Sequence, residues 1–286
     1  MPDERLTKND KREQAREAAR VAREKRERHA KLRRILIPSG VTVALLAIAA
    51  IVILVVSTSA PAPQSANGPK NMISDGILLA GSGGAMVATP TAAVKAGKTP
   101  VATVYKDDGL AHITTYVDFT CPVCQSFEAA NSAQIEQLVE SGQATLEVHP
   151  IAILDRNFLG SRYSSRANNV GACVANYAPD NFYAVMQAMY TNQGTEQTTG
   201  LTNNQMVNIV HDAGLRNGDV DKCITGETFK SWVASATTRA TSDSSLVNPS
   251  SGGFGTPTVL VNGQMYTGSI SDPSAFASFV EQVLAS

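Results

Sequence analysis

The chain has 286 residues, 43% of them hydrophobic, with 24 Lys and Arg against 25 Asp and Glu for a net charge of -1. That length and apolar content support a full-sized core and exclude a disordered chain. The charge is unevenly placed, +6 over residues 1–34 and -7 over the remainder, which excludes a basic nucleic-acid-binding body.

Residues 1–34 interleave charges with Ala and carry Glu/Arg pairs at helical spacing but almost no apolar stripe, so a solvated, partly helical tail is expected. Residues 35–56, ILIPSGVTVALLAIAAIVILVV, contain no charged residue and have the length a helix needs to cross a bilayer. The lead before them is long, the run exceeds a signal-peptide core, and no Cys follows to accept a lipid. An uncleaved signal anchor is therefore the better reading. Arg33 and Arg34 flank one end and a single Lys, Lys70, follows in the next segment, which places the N-terminus in the cytoplasm and everything after Val56 outside it. Residues 57–73, rich in Ser, Pro, Ala and Asn, read as a spacer.

A first folded part is expected over 74–154. Strands are predicted at 76–80 (GILLA), 99–105 (TPVATVY) and 112–119 (HITTYVDF). A helix follows from about Cys121 to Glu140, with Val123, Phe127, Ala130, Ile135 and Leu138 on one face and Ser141-Gly142 as its stop. A strand over 144–154 then completes a βαβ unit. Residues 155–248 carry no convincing strand but several helical signals: Phe182, Val185, Met186 and Met189 on one stripe, a Thr202/Gln205 capping box before a Gly214 stop, and Phe229, Trp232, Val233 and Ala236. They read as an inserted helical domain. Residues 249–286 return to the sheet with TVLV, an Asn262-Gly263 turn and QMYTG, and close with a helix opened by Asp272-Pro273.

The four cysteines, 121, 124, 173 and 223, allow three pairings. C-x-x-C spacing at a helix start makes Cys121–Cys124 sterically easy and leaves Cys173–Cys223 as the expected structural bridge. A strand-to-helix junction gives the pair a reason to be reactive, because backbone N–H groups and the helix dipole favour a thiolate at the first Cys. Cys121 is then the attacked sulfur and Cys124 the resolving partner, with Pro122 fitting the first turn. The bland alternatives are half of a zinc site and a purely structural disulfide. Zinc needs a second close Cys/His pair, which Cys173, Cys223, His149 and His211 do not supply, so no metal is expected. No cofactor is expected either.

DFTCPVCQSFE at 118–128, followed after the helical insertion by GTPTVLVNG at 255–263, resembles the DsbA-type branch of the thioredoxin superfamily over roughly residues 74–286. The layout also resembles membrane-anchored DsbA-like proteins of actinobacteria. The resemblance implies an α/β thioredoxin fold with an inserted helical domain, here preceded by a single transmembrane helix. It implies a cis Thr256-Pro257 bond beside the Cys pair, with Thr256 and Pro257 as the substrate-binding loop, and Pro122-Val123 as the active-site dipeptide. Val123 stands where well-known oxidases have His, which points to a weaker oxidant. Thr115 stands six before Cys121, where thioredoxin-like proteins often have a buried acid. Asp118 is the nearest acid, either as a proton acceptor for Cys124 or as a hydrogen-bonding group of the loop. His149 approaches the site or is an ordinary hydrogen-bonded residue, and Trp232 is expected in a helix core.

The function expected is oxidation of cysteines in unfolded exported proteins, with recharging by a membrane redox partner of quinone-linked, VKOR-like or DsbB-like kind. The rivals are an extracytoplasmic reductase or isomerase, and a redox-inert thioredoxin-like binding or adaptor protein.

Overall fold

The computed structural model describes residues 13, 16–17, 19–28, 31, 65–105 and 108–286. It divides into two units, Met1–Pro61 and Ala62–Ser286. In the first, the described positions are helical and exposed, as an Ala-rich charged segment without an apolar stripe dictates. The apolar run at 35–56, and with it the transmembrane reading, lies outside the described residues. Among the described residues no helix is long and apolar enough to cross a membrane.

The second unit is built on six strands: β1 (Ile77–Ser82), β2 (Ala85–Ala88), β3 (Ala111–Val117), β4 (Ala144–Pro150), β5 (Thr258–Val261) and β6 (Gln264–Met265). Their order is β2-β1-β4-β3-β5-β6. β3 and β4 are parallel and every other neighbouring pair is antiparallel. A parallel pair requires a crossover, and helix α1 (Pro122–Glu140) supplies it. The β1–β2 and β5–β6 hairpins turn on Gly83-Gly84 (φ 63° and 79°) and Asn262-Gly263 (φ 48° and 78°). Two successive positive φ values make the tight turn whose twist matches the strands.

Three expectations about this part need correction. Residues 99–105 are not a strand, because β2 already holds the outer edge of β1. The segment is instead pinned by side chains at alternate positions: the Thr103 and Tyr105 hydroxyls donate to Glu147 at 2.7 and 2.5 Å, while Val101 and Val104 stay exposed. The strands expected at 112–119 and 144–154 stop at Val117 and Pro150, since the following residues turn toward the Asp118 carboxylate. The spacer read at 57–73 is on the fold from residue 65: Ser65 N–H donates to Thr228, Gly68 N–H to Val94, and Met72 is fully buried.

The insertion contains α2 (Tyr163–Tyr177), α3 (Phe182–Thr191), α4 (Asn203–Asp212), α5 (Gly218–Thr225) and α6 (Lys230–Ser242), and α7 (Pro273–Leu284) closes the chain. The Thr202/Gln205 capping box opens α4, Gly214 at φ 90° follows its end, and Asp272 caps α7. The expected stripes of α3 and α6 are all buried. Each such apolar side chain stabilises by about 2 kcal/mol relative to exposure. The insertion shares one hydrophobic core with the sheet: Phe119, just past β3, meets Phe182 and Tyr190 of α3 at ring separations of 6.3 and 5.7 Å.

Candidate active site

Where β3 ends, the loop Asp118–Thr120 leads into α1 with Cys121 as its N-cap and Pro122 in the first turn. The predicted inner face of α1 is rotated. Cys124, Phe127, Glu128, Asn131, Ile135 and Val139 are buried, whereas Val123 is 46% exposed. Placing Cys124 inward puts Val123 on the surface, one residue being about 100° of helix. Pro122 is also exposed. Cys121 retains 5% exposure and Cys124 none, so of the two sulfur-bearing residues only Cys121 reaches solvent.

The register of β3 with β5 pairs Tyr116 with Thr258 and thereby sets residues 256–257 beside the loop that follows Val117. The Thr256-Pro257 bond is cis. The Cys121 Sγ donates to the Thr256 carbonyl oxygen at 3.4 Å.

These surroundings split the two thiols. The Cys124 thiol hydrogen-bonds to Cys121 and, against the effect of burial, joins Thr256 and the N–H groups of Cys124 and Val123 in holding the Cys121 pKa down to about 6. Burial drives Cys124 the other way, well above the ordinary thiol range, reinforced by Cys121. The Thr256 Oγ1 is buried without a hydrogen-bond partner in the dithiol, and its position favours a thiolate at either sulfur.

Asp118 is fully buried, and its carboxylate accepts six hydrogen bonds. Oδ1 takes Thr120 N–H (2.9 Å), Thr120 Oγ1 (2.8 Å) and Asn168 Nδ2 (3.1 Å). Oδ2 takes Ile153 N–H (2.9 Å), Leu154 N–H (3.3 Å) and Ser164 Oγ (2.6 Å). Of the two roles expected for it, this is the geometry of a group that ties the loop, β4's end and α2 together. Burial raises its pKa, and these donors oppose the rise.

A second buried acid lies on α1 without having been singled out. Glu128, four residues after Cys124 on the same buried face, is 4% exposed and accepts Gln187 Nε2 at 2.7 Å. Burial pushes its pKa up to about 7. From α3, the Tyr190 hydroxyl is buried with no hydrogen-bond partner, while its backbone carbonyl accepts Gln125 Nε2 at 2.6 Å. The available sequence signal was a Glu on the apolar face of α1; nothing local marked Tyr190.

The remaining expected residues lie elsewhere in the fold. Cys173 of α2 and Cys223 of α5 form a buried disulfide with Cα atoms 5.7 Å apart. His149 stacks on Tyr116 at 4.3 Å and sits 3.6 Å from Glu147, contacts that belong to the pinned segment and not to the cysteines. Trp232 is buried in α6 and donates to Asp75, which Arg239 grips through two nitrogens. Thr115 is buried in β3. Among the described residues no three His, Cys, Asp or Glu side chains gather as metal ligands.

Solved structures share this architecture. A disulfide bond oxidoreductase (DsbG) from Mycobacterium tuberculosis is 26% identical, with a TM-score of 0.50 over 62% of this chain and 79% of its own. The DsbA of the same organism is 24% identical, with a TM-score of 0.52 over 74% and 93%. The thiol-disulfide oxidoreductase MdbA of Corynebacterium matruchotii is 16% identical, with a TM-score of 0.51 over 69% and 90%. No curated protein matches the sequence. The sheet with its helical insertion is the fold these structures share, and a dithiol at the start of α1 facing a cis-proline loop defines a protein disulfide oxidoreductase. The chain belongs to the thioredoxin family, whose model matches residues 106–282.

Proposed function

We propose that this protein oxidises cysteine pairs of unfolded exported proteins through a mixed disulfide at Cys121. The observation that carries the reading is the asymmetry of the pair: one sulfur at the surface with an acidic thiol, the other buried with a basic one. A substrate thiolate attacks Cys121 of the disulfide form, the Cys121–Cys124 bond breaks, and Cys124 leaves. The substrate's second thiolate then attacks the substrate sulfur of the mixed disulfide and releases Cys121 as its stabilised thiolate. A stabilised reduced form makes a stronger oxidant, which supports oxidation as the direction of net flow. Thr256 and Pro257 flank the reacting sulfur as the surface for an extended substrate segment, and exposed Val123 adds an apolar contact suited to unfolded chains.

The same reading places the catalytic unit outside the cytoplasm, tethered by residues 35–56 with the N-terminus inside, and recharged by a membrane redox partner of quinone-linked, VKOR-like or DsbB-like kind. Its supports are the uncharged apolar run, the Arg33-Arg34 flank and a second disulfide, which suits an oxidising compartment.

Substitution of each cysteine tests the exchange chemistry. Cys124→Ser leaves Cys121 free to form mixed disulfides that cannot be resolved, so trapped substrates accumulate on non-reducing gels. Cys121→Ser traps few. Equal, negligible trapping by both variants contradicts the reading and favours a binding or adaptor protein.

A further inference from the structure

The register of β3 with β4 pairs Thr114 with Glu147 and Tyr116 with His149, so these four side chains share one face of the sheet. On that face a cavity of about 180 Å³ lies between the pinned segment, the sheet and α6. Ala102 of the segment, Tyr116, His149 and Ile151 at the ends of β3 and β4, and Arg239 and Asp243 at the end of α6 form its walls. It borders the reacting end of the molecule. Tyr116 is the strand partner of Thr258, two residues after Thr256, and Phe254 packs edge-on against the Tyr116 ring at 6.3 Å.

The charges around this cavity do not cancel. Arg239, the cation of its lining, is tied through two nitrogens to Asp75. Glu147, beside His149, is held by the hydroxyls of Ser74, Thr103 and Tyr105. Asp243 uses Oδ1 to accept the Ser245 N–H and hydroxyl, and its Oδ2 has no partner among the described residues. Among those residues neither acid has a Lys or Arg partner, so two carboxylates act on the cavity uncompensated. Their convergence shows on Tyr116, whose pKa burial pushes up to about 12 with Glu147, Asp243 and Asp75 adding to the rise.

His149 is the second, independent sign of a binding function. The residue is 5% exposed and lines the cavity. Its Nε2 stands 3.6 Å from Glu147 Oε1, beyond hydrogen-bond reach, and its Nδ1 has no partner among the described residues. Buried polar groups are ordinarily partnered, and an incoming N–H donor supplies what a neutral imidazole nitrogen lacks.

We infer that this cavity receives a Lys or Arg side chain of the substrate polypeptide, a few residues from the cysteine that reacts with Cys121. The inference deepens the oxidoreductase reading and rests on it. The aliphatic stem of such a side chain lies along Ile151, Leu246 and the Tyr116 ring, and its cationic head donates to His149 and to the free oxygen of Asp243. An acidic side chain in the same place faces Asp243 and Glu147 with no free cation to receive it. The distance fits. Thr256 and Tyr116 are separated by one strand spacing and two residues along β5, which an extended substrate at about 3.3 Å per residue crosses in about three or four residues. The enzyme therefore selects exported segments in which a basic residue accompanies the cysteine.

Peptides with a single cysteine and either Lys, Gln or Glu about four residues to one side of it test the selection. Each is reacted with the full chain in its disulfide form, and the rate of mixed-disulfide formation is divided by that peptide's rate with oxidised glutathione, which removes differences in the thiol itself. The Lys peptide is expected to exceed the Gln peptide about fivefold, with the Glu peptide slowest. The Lys-to-Gln ratio should fall toward unity in Asp243→Asn and in Ala102→Phe, which fills the cavity from an exposed position. It should persist in Asp219→Asn, which removes an equal charge from the exposed side of α5. Equal normalised rates for the three peptides in the wild type overturn the proposal. A ratio that survives both cavity variants overturns it too, as does one that falls equally in Asp219→Asn, the mark of attraction by net charge alone. The NMR signal of His149 Cε1 in the wild-type chain reads occupancy without any variant: a copy of the Lys peptide with Ser for its cysteine must move it and the Gln copy must not. An unmoved signal overturns the proposal. A wild-type chain that forms no mixed disulfide with any peptide instead removes the oxidoreductase reading, while His149 still reports whether the cavity takes the basic side chain.

Discussion

The sulfur of Cys121 donates a hydrogen bond to the backbone carbonyl of Thr256 across 3.4 Å, joining residues 135 apart in the chain. The contact exists because β5 is laid beside β3 and the bend at Pro257 returns the chain to the start of α1. It fixes the reactive sulfur against the loop on which we place the substrate backbone.

Iodoacetamide labelling of the reduced protein is expected to report the split between the two thiols. Cys121 should label with a midpoint near pH 6, while Cys124 stays unlabelled into the alkaline range. The Cys121 pKa is depressed in the fold, so its contribution to the stability of the dithiol form is full above the ordinary thiol pKa of 9.0 and is lost as pH falls through about 6. Thermal melts should therefore show the reduced form gaining on the oxidised form as pH rises between those values. Thr256→Val, which removes the unpartnered hydroxyl, should move the labelling midpoint upward.

Glu128 has the opposite linkage. Its pKa rises from 4.5 to about 7 on folding, so the native state binds more protons between those values and stability falls as pH rises through them. Glu128→Gln removes that slope. Urea titrations should find the variant more stable than the wild type above pH 7, by up to about 3 kcal/mol, and the difference should vanish below pH 4.5.

Asp118→Asn is expected to destabilise the protein by roughly 2–4 kcal/mol, because one acceptor oxygen becomes a donor facing groups that themselves donate. Native-state hydrogen exchange should locate the loss at Thr120, Ile153 and Leu154, whose N–H groups bond to this carboxylate. Unchanged protection at those amides contradicts the assignment.

Cys173 and Cys223 are separated by 50 residues, and a loop of that length implies about 4 kcal/mol of stabilisation on chain-entropy grounds. The Cys173→Ala/Cys223→Ala variant should show that loss in urea while keeping mixed-disulfide formation at Cys121. Mild reductant should open the active pair first, since the structural bridge is buried between α2 and α5.

What the sequence disclosed follows the range of the interactions involved. The βαβ unit, the C-x-x-C at a helix start, the Asn262-Gly263 turn and the Thr202/Gln205 box are written in neighbouring residues. Gly83-Gly84 carries the same turn chemistry as Asn262-Gly263, but the short Ala-containing strand it introduces has too little apolar alternation to announce itself. Residues 99–105 misled because Thr103 and Tyr105 alternate for a different reason, their shared partner Glu147. On α1, the visible apolar residues suggested a face that includes Val123, whereas burial of Cys124 and Glu128 turns Val123 outward. The Asp118 cluster and the approach of Tyr190 depend on residues from four segments of the chain, and no local pattern encodes them.

The reduction potential of the Cys121–Cys124 pair in the full chain, equilibrated against glutathione with Cys173 and Cys223 scored separately, tests the central claim most directly. An oxidase of exported proteins should give a value above about -200 mV, on the oxidising side of the glutathione couple. A value near about -270 mV, where thioredoxin lies, contradicts the account and makes the protein a reductase.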